Sequence, residues 1–357
     1  MKKKIIIIAV SICVILSTFF LLQNLLVPKY ISEVPEGSLI EEYYNEEVFD
    51  HNVVFIGDCE VYENFSPITL WEEYGIKSFI RGSAQQLIWQ SYYLMEDTIK
   101  YEKPDVIVFN VLSMKYDEPQ SEAYNRLNLD GMRWSKSKID AIYASMMEEE
   151  SIIDYVLPLL RYHQRWSELT AEDFEYMFKD KPKLSHNGLL MRVDELPVTT
   201  IPESKPLANY QFSDNCYEYL DKMVKLCKDN GVELVLIKAP SLYPAYYDEW
   251  DAQMVDYAAQ NNVHYINFLD CIEEVGLDFA HDTYDAGLHL NLSGAEKLSK
   301  YFGAYLKANF DIEDGRNDAD SSARWNKKVQ FYYDMKEDQL RELKEYGYLK
   351  SYGGKQK

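Results

Sequence analysis

The chain has 357 residues, with 37 basic and 59 acidic side chains and a formal charge of −22. Nucleic acid is not expected as a partner, because binding it needs clustered cations to replace counterions; the acidity reads as solubility. The length suits one large α/β domain with an insertion, or two small domains.

The chain opens MKKKIIIIAVSICVILSTFFLLQNLLV. Residues 1–4 form a basic N-terminus, and the uncharged run at 5–27 is long enough, at ~1.5 Å per helical residue, to cross a bilayer core of ~30 Å. A cleaved signal would have a shorter apolar core and a small-x-small site, neither of which precedes Pro28. An uncleaved signal anchor is expected, giving a single-pass protein of the cell membrane. Lys2, Lys3 and Lys4 beside the span hold the N-terminus in the cytoplasm and place the main domain outside. Without those three lysines, 34 basic residues face 59 acidic ones, or −25, on the exported side. Residues 28–50 read as a juxtamembrane linker.

Five short apolar runs follow: Val53–Ile56, Lys77–Ile80, Asp105–Val111, Glu233–Ile237 and His264–Phe268. Amphipathic stretches of helical length lie around Gln85–Tyr101, Ser213–Asn230, Tyr246–Asn261 and Ser293–Lys307. Ser213 and Gly231 have the character of helix caps, and Ser293-Gly-Ala-Glu296 has capping-box spacing. Strands alternating with helices give a parallel sheet covered on both faces, with ligands bound beyond the carboxyl ends of its strands. The α/β domain is expected over 51–310, with a helical insertion at about 115–209. The charged segment 311–357 reads as a peripheral helix near Arg324–Glu345 and a frayed tail.

Cys13 lies in the apolar span, leaving Cys59, Cys216, Cys227 and Cys271. Cys216 and Cys227 sit on one helical pattern about 16 Å apart, too far to bridge. No metal-ligand spacing such as CxxC is present, so no metal is expected, and nothing calls for a cofactor.

The first strand runs out in VVFIGDCE, which puts Cys59 at a strand end. Near the end of the domain, HDTYDAGLHLNLSGAEKLS places Asp285 and His289 in a loop before the last helix, at the same sheet edge. An acid that takes one ring N–H leaves the other ring nitrogen as a base, so Cys59, His289 and Asp285 make a nucleophile, base and orienter, with Asp282 the alternative acid.

GDCE, the glycine of IRGSAQQ and DAGLHLNLSGAEKLS together resemble the first, second and fifth blocks of the SGNH/GDSL hydrolases, over about 140 residues. That resemblance implies a flavodoxin-like five-stranded parallel sheet and a Cys59–His289–Asp285 triad. It also implies oxyanion donors at the backbone N–H groups of Cys59 and Gly82. An anchor followed by such a domain resembles, in architecture, the teichoic-acid D-alanylation protein and polysaccharide O-acetylation enzymes. This implies an esterase or acyltransferase acting on an envelope polymer, with the envelope glycan or an acyl-donor membrane protein as partner. Three features depart from the family. Its serine is Cys59 here, its acid stands four rather than three residues before the histidine, and FNVLSMKY replaces the Gly-x-Asn-Asp block. Asn110 in that segment is a candidate oxyanion amide or simply a turn residue.

A thiolate is a strong nucleophile whose thioester favours transfer to another acceptor, but Asp58 and Glu60 on either side oppose its formation. A catalytically silent domain that binds glycan or an envelope partner is therefore the second reading. For it, Arg161, His163, Arg165 and Trp166 of the insertion are candidate contacts to phosphate, carboxylate or sugar, unless these cations simply pair with nearby acids.

Overall fold

The computed structural model describes residues 2–29, 39–179, 181 and 183–352. Met1 of the basic N-terminus, 30–38 of the linker, 180 and 182 of the insertion and 353–357 of the tail lie outside the described residues.

All five apolar runs become strands: β1 (Val53–Gly57), β2 (Ser78–Gly82), β3 (Val106–Asn110), β4 (Glu233–Lys238) and β5 (His264–Asn267). They pair in parallel in the order β2-β1-β3-β4-β5. The order reverses at β1, so a crevice opens beyond the carboxyl ends of β1 and β3. The helices include α1 (Lys2–Leu26), α2 (Pro67–Tyr74), α3 (Ile88–Tyr101), α4 (Asp214–Asn230), α5 (Asp248–Asn261), α6 (Leu292–Asn309) and α7 (Ala319–Tyr346).

Because strand side chains alternate between faces, Val53 and Phe55 enter one core while Val54 and Ile56 enter the other. The first core is closed by Leu70 and Trp71 of α2, Phe302 of α6 and Trp325 of α7. The second is closed by Leu94 of α3, Met223 of α4 and Met254 of α5. Both faces of the sheet are thus dry at β1, β2 and β3, which explains why β1 and β3 read as continuous apolar runs, while the edge strand β5 is half-buried.

Helix ends follow local chemistry. Ser213 caps α4 through the Cys216 N–H at 3.3 Å, and Gly231 ends it at φ 67°. The start of α6 differs from expectation. Asn291 is its cap, accepting from the Gly294 N–H at 3.2 Å, while Ser293 Oγ donates to Asp282 at 2.8 Å. Helix α3 begins at Ile88 rather than Gln85, whose φ of 51° is left-handed and outside any right-handed helix.

Two segments expected at the periphery are built into the core. Tyr43 and Tyr44 of the linker are buried against Arg81, whose Nη2 donates to Tyr44 Oη at 2.8 Å and to Asp97 at 3.0 Å. In α7, Trp325 stacks on Trp71 with ring centres 5.0 Å apart. The insertion also protects the sheet edge: the Ile80 N–H of β2 donates to Asn187 O at 2.9 Å. Helix α1 is long and apolar enough to cross a membrane, consistent with a single-pass anchor or a signal sequence.

Candidate active site

Strand β1 ends at Gly57, where a Cβ would stand 3.0 Å from Asn110 Cβ and 3.2 Å from Val61, so any larger residue would have to push the Asn110 or Val61 side chain aside. Asp58 then caps the helical turn Cys59–Tyr62, accepting from the Glu60 N–H at 3.2 Å. Cys59 is the first residue of that turn. Its side chain is packed round by protein but retains some access to solvent, and it forms no disulfide.

The loop before α6 brings up the other two residues. Asp285 Oδ2 lies 2.7 Å from His289 Nδ1, and its Oδ1 accepts from the His289 backbone N–H at 2.8 Å. The two bonds fix both the ring and the chain that carries it. Thr283 Oγ1 donates to His289 O at 2.8 Å, and Asn64 Oδ1 accepts from the Leu290 N–H at 2.9 Å. The last contact ties the histidine loop to the segment just after the cysteine turn. His289 is buried and, among the described residues, its Nε2 has no partner at ordinary hydrogen-bond geometry, while Cys59 is near enough for each side chain to perturb the titration of the other through charge and hydrogen bonding.

The electrostatics favour a neutral thiol. Burial pushes the Cys59 thiol up to about 11; His289 opposes this, and the Asp58 and Glu63 carboxylates add to it. Burial by itself would depress His289, yet Glu63, Cys59 and Asp285 together hold it well above the ordinary histidine value. Burial, then repulsion from Glu60, raises Asp58 to about 6. Both shifts thus favour the neutral thiol and the protonated ring.

Asn110, a candidate oxyanion amide, is committed elsewhere. Its Nδ2 donates to Asp58 and to Glu60, both at 2.9 Å, and its Oδ1 accepts from the Ala239 N–H at 3.1 Å. Neither amide hydrogen remains for a substrate. Gly82, at the end of β2, is in register with Gly57, and a Cβ there would stand 3.1 Å from Gly57 O and 3.0 Å from the Tyr62 ring. The alternative acid, Asp282, is fully buried in a different role: it accepts from Lys297 Nζ at 2.6 Å and from the Asp278 N–H at 2.8 Å.

Two residues at the site went unanticipated. Glu63 Oε2 is 3.5 Å from His289 Nδ1, and Tyr284 Oη donates to that same carboxylate while lying 3.5 Å from the ring. Glu63 is one helical turn beyond Cys59, the only hint of its position that the sequence carries.

The residues of the insertion do not join this site. Arg161 pairs with Glu122 at 2.5 Å, Arg165 Nη1 donates to Leu26 O at 2.7 Å and its Nη2 pairs with Asp173 at 3.2 Å. His163 Nδ1 lies 2.7 Å from Leu160 O, and Trp166 is exposed. Arg161 and His163 border a hollow of about 550 Å³ whose wall also carries Glu122, Glu149, Glu150 and Asp154, a surround that opposes an anionic ligand. Among the described residues, no group of three or more His, Cys, Asp or Glu side chains is arranged to hold a metal ion.

The sequence matches no family model and no curated protein. Among solved structures, the chain is similar to a protein described as lipolytic and of the G-D-S-L family from Desulfitobacterium hafniense DCB-2. Identity is 12%, coverage is 71% of this chain and 99% of that one, and the TM-score is 0.36. A protein designated an acylhydrolase from Bacteroides fragilis NCTC 9343 is 12% identical, with 79% and 96% covered and a TM-score of 0.36. A GDSL-like lipase from Bacteroides thetaiotaomicron VPI-5482 is 11% identical, with 76% and 98% covered and a TM-score of 0.36.

Proposed function

We propose that the chain is a membrane-anchored, extracytoplasmic SGNH-type esterase or O-acyltransferase that acts on a cell-envelope polysaccharide or teichoic-acid-like polymer. Cys59 is its nucleophile, His289 its base and Asp285 the orienting acid. The observation that carries this reading is the Asp285–His289 pair, joined by two hydrogen bonds, with an Nε2 that among the described residues has no partner at ordinary geometry and a cysteine beside it at the carboxyl edge of a parallel sheet. The polymer is inferred from the N-terminal helix, which as an uncleaved anchor holds the site at the outer membrane surface.

In the working state His289 is neutral at Nε2. Cys59 Sγ attacks the ester carbonyl carbon and gives its proton to Nε2, and the oxyanion is met by the backbone N–H groups of Cys59 and Gly82. Collapse breaks the ester C–O bond, and the departing alkoxide takes the proton from His289, leaving a thioester on Cys59. A sugar hydroxyl or water then attacks the thioester, losing its proton to Nε2, and the thiol is restored as that proton returns to sulfur. Since Asp285 and Glu63 favour the protonated ring, turnover increases on the alkaline side of neutrality.

A thiol-directed acyl probe tests the assignment. Cys59 is expected to be labelled and His289→Ala to suppress that labelling at least tenfold. Cys216, buried with its thiol on Tyr116 O, gives the background rate. Wild-type labelling of Cys59 no faster than Cys216 removes the catalytic claim. A topology reporter fused after residue 40 is expected to be active only outside the cytoplasm; activity inside it rejects the exported placement.

The second reading, a silent domain that binds glycan or an envelope partner, draws support from the high thiol pKa and the carboxylates on both sides of Cys59. Under it, Cys59→Ala leaves the cellular phenotype intact while Arg161→Ala with Arg165→Ala disrupts it. The opposite pattern rejects it.

A further inference from the structure

Apart from Ser11, Ser17 and Thr18, the side chains of α1 from Ile5 to Leu21 are apolar, and all but the part-covered Phe19 are exposed; cover is partial from Leu22 on and complete at Leu26. The cover is supplied by the insertion. Its short helices Pro158–Tyr162 and Ala171–Glu175 pack on α1, Asn24 Nδ2 donates to Met177 O at 2.6 Å, and Arg165 Nη1 donates to Leu26 O at 2.7 Å. Lys29 Nζ also donates to Asn24 O at 2.5 Å and Val27 O at 2.8 Å, closing the end of the helix. The segment 151–179 is thus a collar around the exit of α1.

The collar leaves Ile153, Val156, Leu160, Trp166, Phe174 and Phe178 exposed, from 48% for Leu160 to 71% for Phe178. Between residues 153 and 178 six large apolar side chains are left exposed, interleaved with charged ones, a composition that suits a surface in contact with something other than bulk water. Length points to its occupant. The freely exposed part of α1, about 17 residues, spans only ~25 Å. A bilayer core is ~30 Å thick, so the hydrocarbon extends about 5 Å further, to the level of the collar. Elements that lie in the membrane interface bury their apolar side to a depth of about 5–10 Å, and tryptophan is enriched there.

We propose that the collar is a second membrane-contacting element, seated in the headgroup and acyl boundary of the bilayer that α1 crosses, with the lipid itself covering its apolar side chains. The inference rests on α1 being an uncleaved anchor, and is independent of the chemistry assigned to Cys59.

Full-length protein in nanodiscs of phosphatidylglycerol and phosphatidylcholine, with acyl chains either brominated or plain, tests it through tryptophan emission. Helix α1 contains no tryptophan. Brominated lipid is expected to quench part of the wild-type emission, and Trp166→Phe to remove at least half of the quenched amplitude. Trp134→Phe, at another exposed tryptophan of the insertion, should leave that amplitude unchanged. Phe178→Glu keeps Trp166 but lifts the collar away from lipid, so its quenching should fall by a similar fraction. Protein that co-elutes with discs but shows the same quenching with and without Trp166 overturns the collar alone, as does an unquenched Trp166 awaiting a protein occupant. Protein that fails to co-elute with discs overturns the anchor and the collar together.

Discussion

Lys238 Nζ lies 2.9 Å from both carboxylate oxygens of Glu60, and neither side chain is more than 1% exposed. Glu60 follows the cysteine, and Lys238 ends β4. Asn110, at the end of β3, donates to Glu60 and to Asp58, so the ends of β1, β3 and β4 are joined by one buried polar network beneath the Cys59 turn. Lys238→Met would leave a carboxylate buried without its counter-ion, and is expected to cost about 3–5 kcal/mol in denaturant unfolding. Adding Glu60→Gln removes the stranded charge and should recover most of that loss. A single-variant loss below about 1 kcal/mol would mean that water reaches the pair and that it does not fix the turn.

The two aspartates of the histidine loop should separate cleanly. Asp285→Asn replaces an acceptor of the Nδ1 proton by an amide that can present the wrong group to the ring, and a fall of about 10²-fold or more in Cys59 labelling is expected. Its unfolding midpoint should move little. Asp282→Asn instead weakens the contacts to Lys297, Ser293 and the Asp278 N–H, so stability should fall while labelling per folded molecule is retained. Equal effects of both changes on labelling would undo the distinction between them.

The central strands were legible because both faces of the sheet are buried there, which makes β1 and β3 nearly unbroken apolar runs; β5, HYIN, is only half-buried, and β2 carries Arg81. Asp285 and His289 were legible as an acid and a histidine in a short loop ahead of a capped helix. The cap itself was misplaced. Ser293 and Glu296 have capping-box spacing, but Asn291, two residues earlier, accepts the Gly294 N–H. Glu63 and Tyr284 carry no spacing that marks them; they meet at His289 because tertiary packing brings their loops together, including the Asn64–Leu290 bond. Lys238 could have been noticed as a charge closing the apolar run ELVLIK. Arg161 and Arg165 stand close together in the sequence, and as the alternative reading has it they pair with acids: Arg165 with Asp173 eight residues on, Arg161 with the more distant Glu122, while Arg165 also reaches Leu26 O.

Helix α7 reads as a charged appendage, since a few buried positions in a long polar helix barely alter its pattern. Trp325 nevertheless is 2% exposed and stacks on Trp71, while Gln339 Nε2 donates to Met191 O at 2.8 Å. Trp325→Ala is expected to destabilise the domain by about 3–5 kcal/mol, through lost burial and the cavity left behind. Trp325→Phe keeps part of the stack and should cost less. Thermal unfolding checks both, and a negligible change for Trp325→Ala would make α7 dispensable to the fold.

Glu63 offers a test of the electrostatics that does not depend on knowing the substrate. Its carboxylate raises the Cys59 thiol and the His289 ring together, disfavouring thiolate and favouring imidazolium. Iodoacetamide modification of wild-type Cys59, followed by mass spectrometry, should be slow at neutral pH and climb toward a midpoint near 11. Glu63→Gln should move that midpoint down and speed modification below it. Stability should follow the matching sign. A histidine whose folded pKa exceeds its unfolded value contributes stability that is full below about 6.5 and is lost as pH rises through the folded value. The stability gap between wild type and Glu63→Gln should therefore narrow as the solution becomes alkaline and His289 loses its proton. An unshifted modification midpoint in Glu63→Gln would show that the 3.5 Å approach to His289 is electrostatically idle. A wild-type midpoint near the ordinary thiol value of about 8.5 would mean that Cys59 is solvated enough to ionise freely, against the burial that raises it here.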